Sequence, residues 1–198
     1  DRWKGTVVFV AQPAEERIAG AKAMVADGLY TRFPKPDYAL AYHVDASMET
    51  GKIAASETIQ YSSSDSIDIV VPGVGAHGAS PNTGKDPVYM ASQIVIALQG
   101  LVSRERAPLL PGVITVGSFH AGLKHNIISD EAKLQVTVRA NDEATRAQLV
   151  NGIKRIARGV GIMNGMPEDK MPVVTQIEGT PTTINDTPLA QRLNAVMV

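Results

Sequence analysis

Four short stretches of this 198-residue chain carry side chains able to do chemistry. The first is Gln12-Pro13-Ala14-Glu15-Glu16, directly after the apolar run at residues 6–11. If that run is a buried strand, the two carboxylates sit at a strand's carboxyl end, where ligands of open α/β sheets gather. Adjacent carboxylates there can divide labour. One holds a divalent metal while its neighbour moves a proton. An acidic first helical turn favoured by the helix dipole explains the same pair without chemistry. The second stretch is Tyr42-His43-Val44-Asp45, at the end of the apolar run 38–44. Neutral imidazole is a common zinc ligand, although a lone His also serves plain structural ends.

The third stretch runs from Gly73-Val74-Gly75-Ala76-His77-Gly78 to Thr83-Gly84-Lys85-Asp86-Pro87. Its small residues let a substrate or another backbone come close to His77. No Gly-Lys-Ser/Thr pattern is present, which argues against a phosphate loop. A glycine-rich connection with an incidental His is the competing reading. The fourth is His125-Asn126-Ile127-Ile128-Ser129-Asp130, followed by Arg139. A guanidinium suits a carboxylate. A solvated strand face accounts for Arg139 equally well.

The elements that must carry these stretches follow from hydrophobic period. Residues 6–11 and 38–44 are apolar and rich in β-branched or aromatic residues, the pattern of strands buried on both faces of a parallel sheet. A short helix over residues 19–26 lies between them and ends at Asp27-Gly28. Strand–helix–strand of this kind implies parallel pairing. Beyond residue 56 the pattern changes. Ile67, Ile69 and Val71 mark a half-buried strand, and Asp86-Pro87 reads as a cap and first turn. A helix follows with Ala91, Ile94, Leu98 and Leu101 on one face. Residues 113–119 and the alternation Leu134, Val136, Val138 give two more strands. Asn141-Asp142 opens a second helix, and 172–177 a last strand. The order β-α-β-β-α-β predicts a ferredoxin-like α+β sandwich over 57–178. The expected fold is thus an incomplete α/β portion with a mostly parallel sheet (1–56 and 179–198), into which the α+β module is inserted.

Composition narrows the function classes. Nineteen basic and 20 acidic residues leave a net charge of −1, with no electrostatic footprint for nucleic acid or an anionic membrane. Apolar runs fall far short of the roughly 20 residues of a membrane span. Cysteine is absent, so disulfides, Cys-ligated zinc and a Cys nucleophile are excluded within these residues. The chain opens on Asp1 and closes on Val198 with no start or stop signal, and it reads as a slice of something longer. Nothing in it fixes a compartment; the cytoplasm is the default expectation.

In joint order and spacing, these stretches resemble the zinc-dependent amidohydrolase and peptidase family of aminoacylases, hippurate hydrolases, carboxypeptidase G and auxin-conjugate hydrolases. The N-acyl-amino-acid amidohydrolase branch is most similar. The resemblance rests on GTVVFVAQPAEE, GAKAMVADGLY, YHVD, GAHGASPNTGKDP, ALQGLVSRE, ITVGSFHAG, HNIISDEAKLQVTVR and EGTPTTIND. It implies a catalytic α/β domain with one or two divalent ions, zinc by expectation, and an inserted lid that forms a homodimer. It implies that Glu15 is the general acid/base and that Glu16 and His43 are metal ligands. By the same resemblance, His77 is a lid histidine that reaches a neighbouring subunit's site and meets the oxyanion. Asn126, Arg139 and Gly122 belong to substrate binding, Arg139 for a substrate carboxylate. Ser129 stands where the family usually has Pro, and Asn82 where it often has His, departures that bear on substrate. The family's upstream metal-binding His segment and its last ligating His are not in this chain. The implied activity is metal-dependent hydrolysis of an amide bond in N-acyl amino acids or related small amides. The alternatives are a non-catalytic dimerisation and substrate-capture module, or a dipeptidase of the same family.

Overall fold

The computed structural model describes residues 4–197. The chain divides into two compact units, Asp1–Ile53 and Ala54–Val198.

In the first unit, a 3-10 turn at Glu15–Arg17 precedes helices α1 (Gly20–Ala26) and α2 (Leu29–Arg32). Gly20 is required where it stands, because a Cβ there would lie 1.6 Å from the carbonyl oxygen of Pro13. The expected parallel sheet is absent. Among the described residues this unit has no strand, and all three sheets formed are antiparallel. The runs 6–11 and 38–44 are exposed, with Val7 at 76%, Phe9 at 90% and Val44 at 91%. The physical reason is that a strand is a pairing, not a composition. These runs have the right residues, but no described residue supplies the ladder partner that would turn them into strands.

The second unit is built on a four-stranded antiparallel sheet. Its strands are β2 (Ser64–Pro72), β4 (Gly112–Ala121), β6 (Glu131–Ala140) and β7 (Val173–Thr180), in spatial order β4-β6-β2-β7. Helices α3 (Pro87–Gly100) and α4 (Glu143–Met163) pack against it. Register explains the core. Ile67 faces Val136 and Ile69 faces Leu134 across β2 and β6. These side chains are buried together with Met90, Ile94 and Leu98 of α3 and Leu149 and Ile153 of α4. Burying each such side chain stabilises the fold by about 1.5–3 kcal/mol relative to exposure.

Both helices start on a side-chain cap. Asp86 accepts from the amides of Val88 at 2.9 Å and Tyr89 at 3.3 Å, with Pro87 in the first turn. Asp142 accepts from the amide and hydroxyl of Thr145, at 2.8 and 2.7 Å. These bonds favour the charged carboxylate and hold Asp142 below the ordinary range, the amide bond contributing most. A five-residue π-helical turn, Leu101–Glu105, ends α3.

Two small ladders complete the unit. β1 (Ile59–Tyr61) pairs with β8 (Thr183–Ile184), and β3 (Ala76–His77) pairs with β5 (Ile127–Ile128). A last helix, α5 (Thr187–Met197), lies beside the segment that precedes β1. Asn185 Nδ2 donates to Ser56 O at 2.7 Å, Thr187 Oγ1 to Glu57 O at 2.8 Å and Asn194 Nδ2 to Ala55 O at 3.0 Å. The segments entering and leaving the sandwich therefore run side by side.

Candidate functional site

The glycine-rich stretch 73–86 is a strap stitched to the segment 126–130. Gly73 N donates to Asp130 O at 2.7 Å, Gly75 N to Asp130 Oδ1 at 2.9 Å and Gly78 N to Asn126 O at 2.8 Å. Val74 and Lys85 exchange backbone bonds of 2.9 and 3.0 Å, closing the strap on itself. The glycines are there for contact. A Cβ on Gly75 would lie 2.7 Å from Asp130 Oδ1, and one on Gly84 2.5 Å from Val74 O. At the strap's far end, Lys85 Nζ donates to Asn164 O at 2.7 Å, just past the end of α4. A cation is well placed there against the helix dipole.

His77 and Asn126 are thereby brought together: His77 pairs with Ile127 across β3 and β5, next to Asn126. Both are exposed. The amide of Ala79 donates to His77 Nδ1 at 3.1 Å. An amide N–H can only donate, so Nδ1 must carry the lone pair. In the neutral ring the proton then sits on Nε2, which makes that nitrogen a donor.

Arg139 is not part of this cluster. It lies near the end of β6, eight residues from Glu131, about 27 Å away at a typical strand rise. Its side chain is on the exposed side of the alternation, opposite Val113 of β4. Gly122 follows β4 with φ +79°, and no atom lies within 4 Å of where a Cβ would be. Its left-handed backbone, not crowding, is what calls for glycine there.

In the first unit, Glu15 and Glu16 sit exposed in the 3-10 turn. Ala14 and Ile18 flank that turn, both left-handed at φ 53°. A β-branched residue in that region is rare and costs about 1–3 kcal/mol, a local strain of the kind that clusters at functional sites. His43 Nδ1 lies 2.6 Å from Val44 O. A carbonyl only accepts, so Nδ1 carries the proton and Nε2 the lone pair. Asp45, two residues on, accepts from the hydroxyl and then the amide of Ser47, at 2.6 and 2.8 Å. These bonds hold its carboxyl below the ordinary range.

Zinc sites take at least three protein ligands. Among the described residues, no group of three or more His, Cys, Asp or Glu stands close enough to hold an ion. Glu16 and His43 therefore do not make a metal centre by themselves. Asp130, by contrast, is a residue that motif reading left without a role. The signal for it was a carboxylate just before a strand, in a chain whose other loop is rich in glycine.

The model of the peptidase dimerisation domain family matches residues 62–161, which take in the strap, α3 and all but the last two residues of α4. The chain belongs to this family. It is also similar to the hippurate hydrolase of Campylobacter jejuni, 39% identical over 162 residues, covering 82% of this chain and 42% of that protein. Thermostable carboxypeptidase 1 of Saccharolobus solfataricus is 32% identical over 189 residues, covering 94% and 46%. A solved structure from methicillin-resistant Staphylococcus aureus, assigned to the aminohydrolases, superposes with a TM-score of 0.78 at 29% identity, covering 94% of this chain and 46% of that one. These relatives place the chain in the amidohydrolase and peptidase superfamily that its motifs resemble. The chain spans less than half the length of the relatives it matches. Among its described residues, no helix is long and apolar enough to cross a membrane.

Proposed function

We propose that this dimerisation-domain chain serves a metal-dependent hydrolase that cleaves the amide bond of N-acyl amino acids or related small amides. Residues 57–178 act as its lid, and 1–56 with 179–198 belong to its catalytic portion. The observation that carries the reading is that Arg139 lies toward one end of β6, while the strap that carries His77 is anchored at Asp130, just before the other end. Arg139 and Glu131 are about 27 Å apart along the strand, so in this reading a small substrate meets Arg139 of one lid and His77 and Asn126 of another. A homodimer supplies that arrangement. β4 offers an unpaired sheet edge, and α3, packed against β4, leaves Ile96 73% exposed.

In this reading each residue has one task. Glu15 takes a proton from the attacking water and returns it to the leaving amine. His77, donating from Nε2, meets the negative oxygen that develops on the amide carbonyl; such a donor is typically worth about 3–4 kcal/mol. Arg139 grips the substrate carboxylate, and Asn126 and the open space at Gly122 shape its surroundings. Glu16 and His43 contribute two donors to the divalent-metal site, zinc by expectation. The remaining donors belong to the length of the relatives that this chain does not cover.

Mixed dimers test the reading in the whole protein, with hippurate as the first substrate. His77→Ala and Arg139→Ala subunits are each inactive alone. Mixed, they regain about a quarter of wild-type turnover, because half the dimers carry one intact site of two. Full turnover in His77→Ala, or no recovery on mixing, overturns the shared site. The lack of a three-donor group among the described residues favours a second reading of the chain taken alone: a non-catalytic dimerisation and substrate-capture module.

A further inference from the structure

We propose that Asp130 is a positioning residue for His77: it holds the strap in the one geometry that aims the Nε2–H outward. The inference rests on the reading of His77 as an oxyanion donor. Its physical basis is that the strap has little of its own to hold it. β3 and β5 are two residues each, and so short a ladder is marginal in water. Asp130 grips this ladder at its root through two acceptors on one residue. Its carbonyl takes Gly73 N–H at 2.7 Å, and its carboxylate takes Gly75 N–H at 2.9 Å, two residues before His77.

The next residue, Glu131, opens β6, whose buried side chains are central to the core. Asp130 therefore ties a weak strap to a strand that is paired on both sides and packed into the core. The fit is tight enough that a Cβ on Gly75 would stand 2.7 Å from Asp130 Oδ1, so glycine and aspartate form a matched pair. Beyond His77, Gly78 N–H goes to Asn126 O and Ser80 N–H to His77 O, both at 2.8 Å. His77 thus lies between two clamps, and the Ala79 amide that sets its tautomer belongs to the second. Releasing the first clamp frays the ladder and frees the ring from the Ala79 amide.

The test has two arms. In the 198-residue chain, 15N NMR of the His77 ring reads the tautomer, and hydrogen exchange reads the Gly75 and Ala79 amides. Asp130→Ala is expected to move the ring nitrogens toward averaged tautomers and to speed exchange at both amides by about tenfold, the loss of one charge-assisted bond. Asp130→Asn keeps an acceptor oxygen and restores both. If Asp130→Ala fails to fold, Gly75→Ala displaces the carboxylate from the other side and is read in the same way. Wild-type ring shifts and exchange in both variants overturn the proposal. In the whole hydrolase, Asp130→Ala is expected to lower kcat about tenfold with KM within about twofold, and to add nothing to His77→Ala. A kcat loss in His77→Ala with no response of His77 to Asp130→Ala sinks the clamp and leaves the functional reading standing. An unchanged kcat in His77→Ala sinks that reading, and the NMR arm still decides the clamp.

Discussion

Arg146 forks onto Asp65, with Nε 2.8 Å from one carboxylate oxygen and Nη2 2.7 Å from the other. Asp65 is fully buried in β2, and Gln176 of β7 donates to it at 2.5 Å. The carboxylate fixes the guanidinium more firmly in its charged form, with Glu143 adding a second, exposed partner. Removing Arg146 leaves the buried Asp65 carboxylate uncompensated, and removing Asp65 strips Arg146 of its buried partner and Gln176 of its acceptor. Asp65→Ala and Arg146→Ala are each expected to cost about 3–5 kcal/mol in urea unfolding. The double variant is expected to cost clearly less than the sum. Additive losses would mean the pair is not coupled.

Two glycines of α4 predict opposite outcomes for one substitution. A Cβ on Gly152 would lie 2.5 Å from Leu101 Cδ2, where α4 crosses the end of α3. Nothing lies within 4 Å of a Cβ on Gly159. Gly152→Ala is expected to lose about 1–3 kcal/mol through overpacking. Gly159→Ala is expected to gain about 0.5–1 kcal/mol from helix propensity. Thermal melts of the two variants check the sign directly.

What the amino acids reveal by themselves depends on range. The alternation Ile67, Ile69, Val71 and the cap Asp86-Pro87 are local signals, and they mark a buried strand face and a helix start in the structure as in the sequence. The runs 6–11 and 38–44 mislead because strand formation needs a partner that composition does not report. β3 and β5 are too short for any period to show. Asp65 and Arg146 stand 81 positions apart, so nothing near either residue announces the pair. At the site, motif order singled out His77 and Asn126, but only the β3–β5 ladder puts them side by side. The same holds for Arg139: alternation marks its exposed side, and only the ladder shows that it stands toward the end of β6 away from Asp130.

An exposed pair carries the pH dependence that can be read most directly. Arg158 donates to both carboxylate oxygens of Glu168, at 2.8 and 3.0 Å. Those hydrogen bonds hold the Glu168 carboxyl below its ordinary 4.5. A carboxyl depressed in the folded state stabilises above its unfolded value, and that contribution is lost as pH falls through the folded value. Carboxyl 13C NMR is expected to find the Glu168 midpoint below 4.5, and to find it raised toward that value in Arg158→Gln. No movement in the variant would assign the depression to another cause.

The dimer proposal has its own test. Ile96 is 73% exposed on α3, so a charge there leaves the core intact. Light scattering of the wild-type chain is expected to give the mass of two copies, and of Ile96→Glu the mass of one, with unchanged circular dichroism. A wild-type monomer would overturn the dimer, and a variant dimer as tight as wild type would move the interface elsewhere.

Metal content separates a self-sufficient site from a shared one. The chain offers Glu16 and His43 as donors, and its described residues hold no group of three. A site with two protein ligands leaves the rest of a zinc ion's coordination to water, and such an ion is readily lost to a chelator. After brief chelator treatment and gel filtration, the 198-residue chain is expected to carry far less than one zinc per copy by mass spectrometry. The whole protein is expected to keep its metal and lose it on His43→Ala or Glu16→Ala. Near-stoichiometric zinc in the chain alone would require a third donor from these residues, and would reverse the assignment of the missing ligands to the rest of the protein.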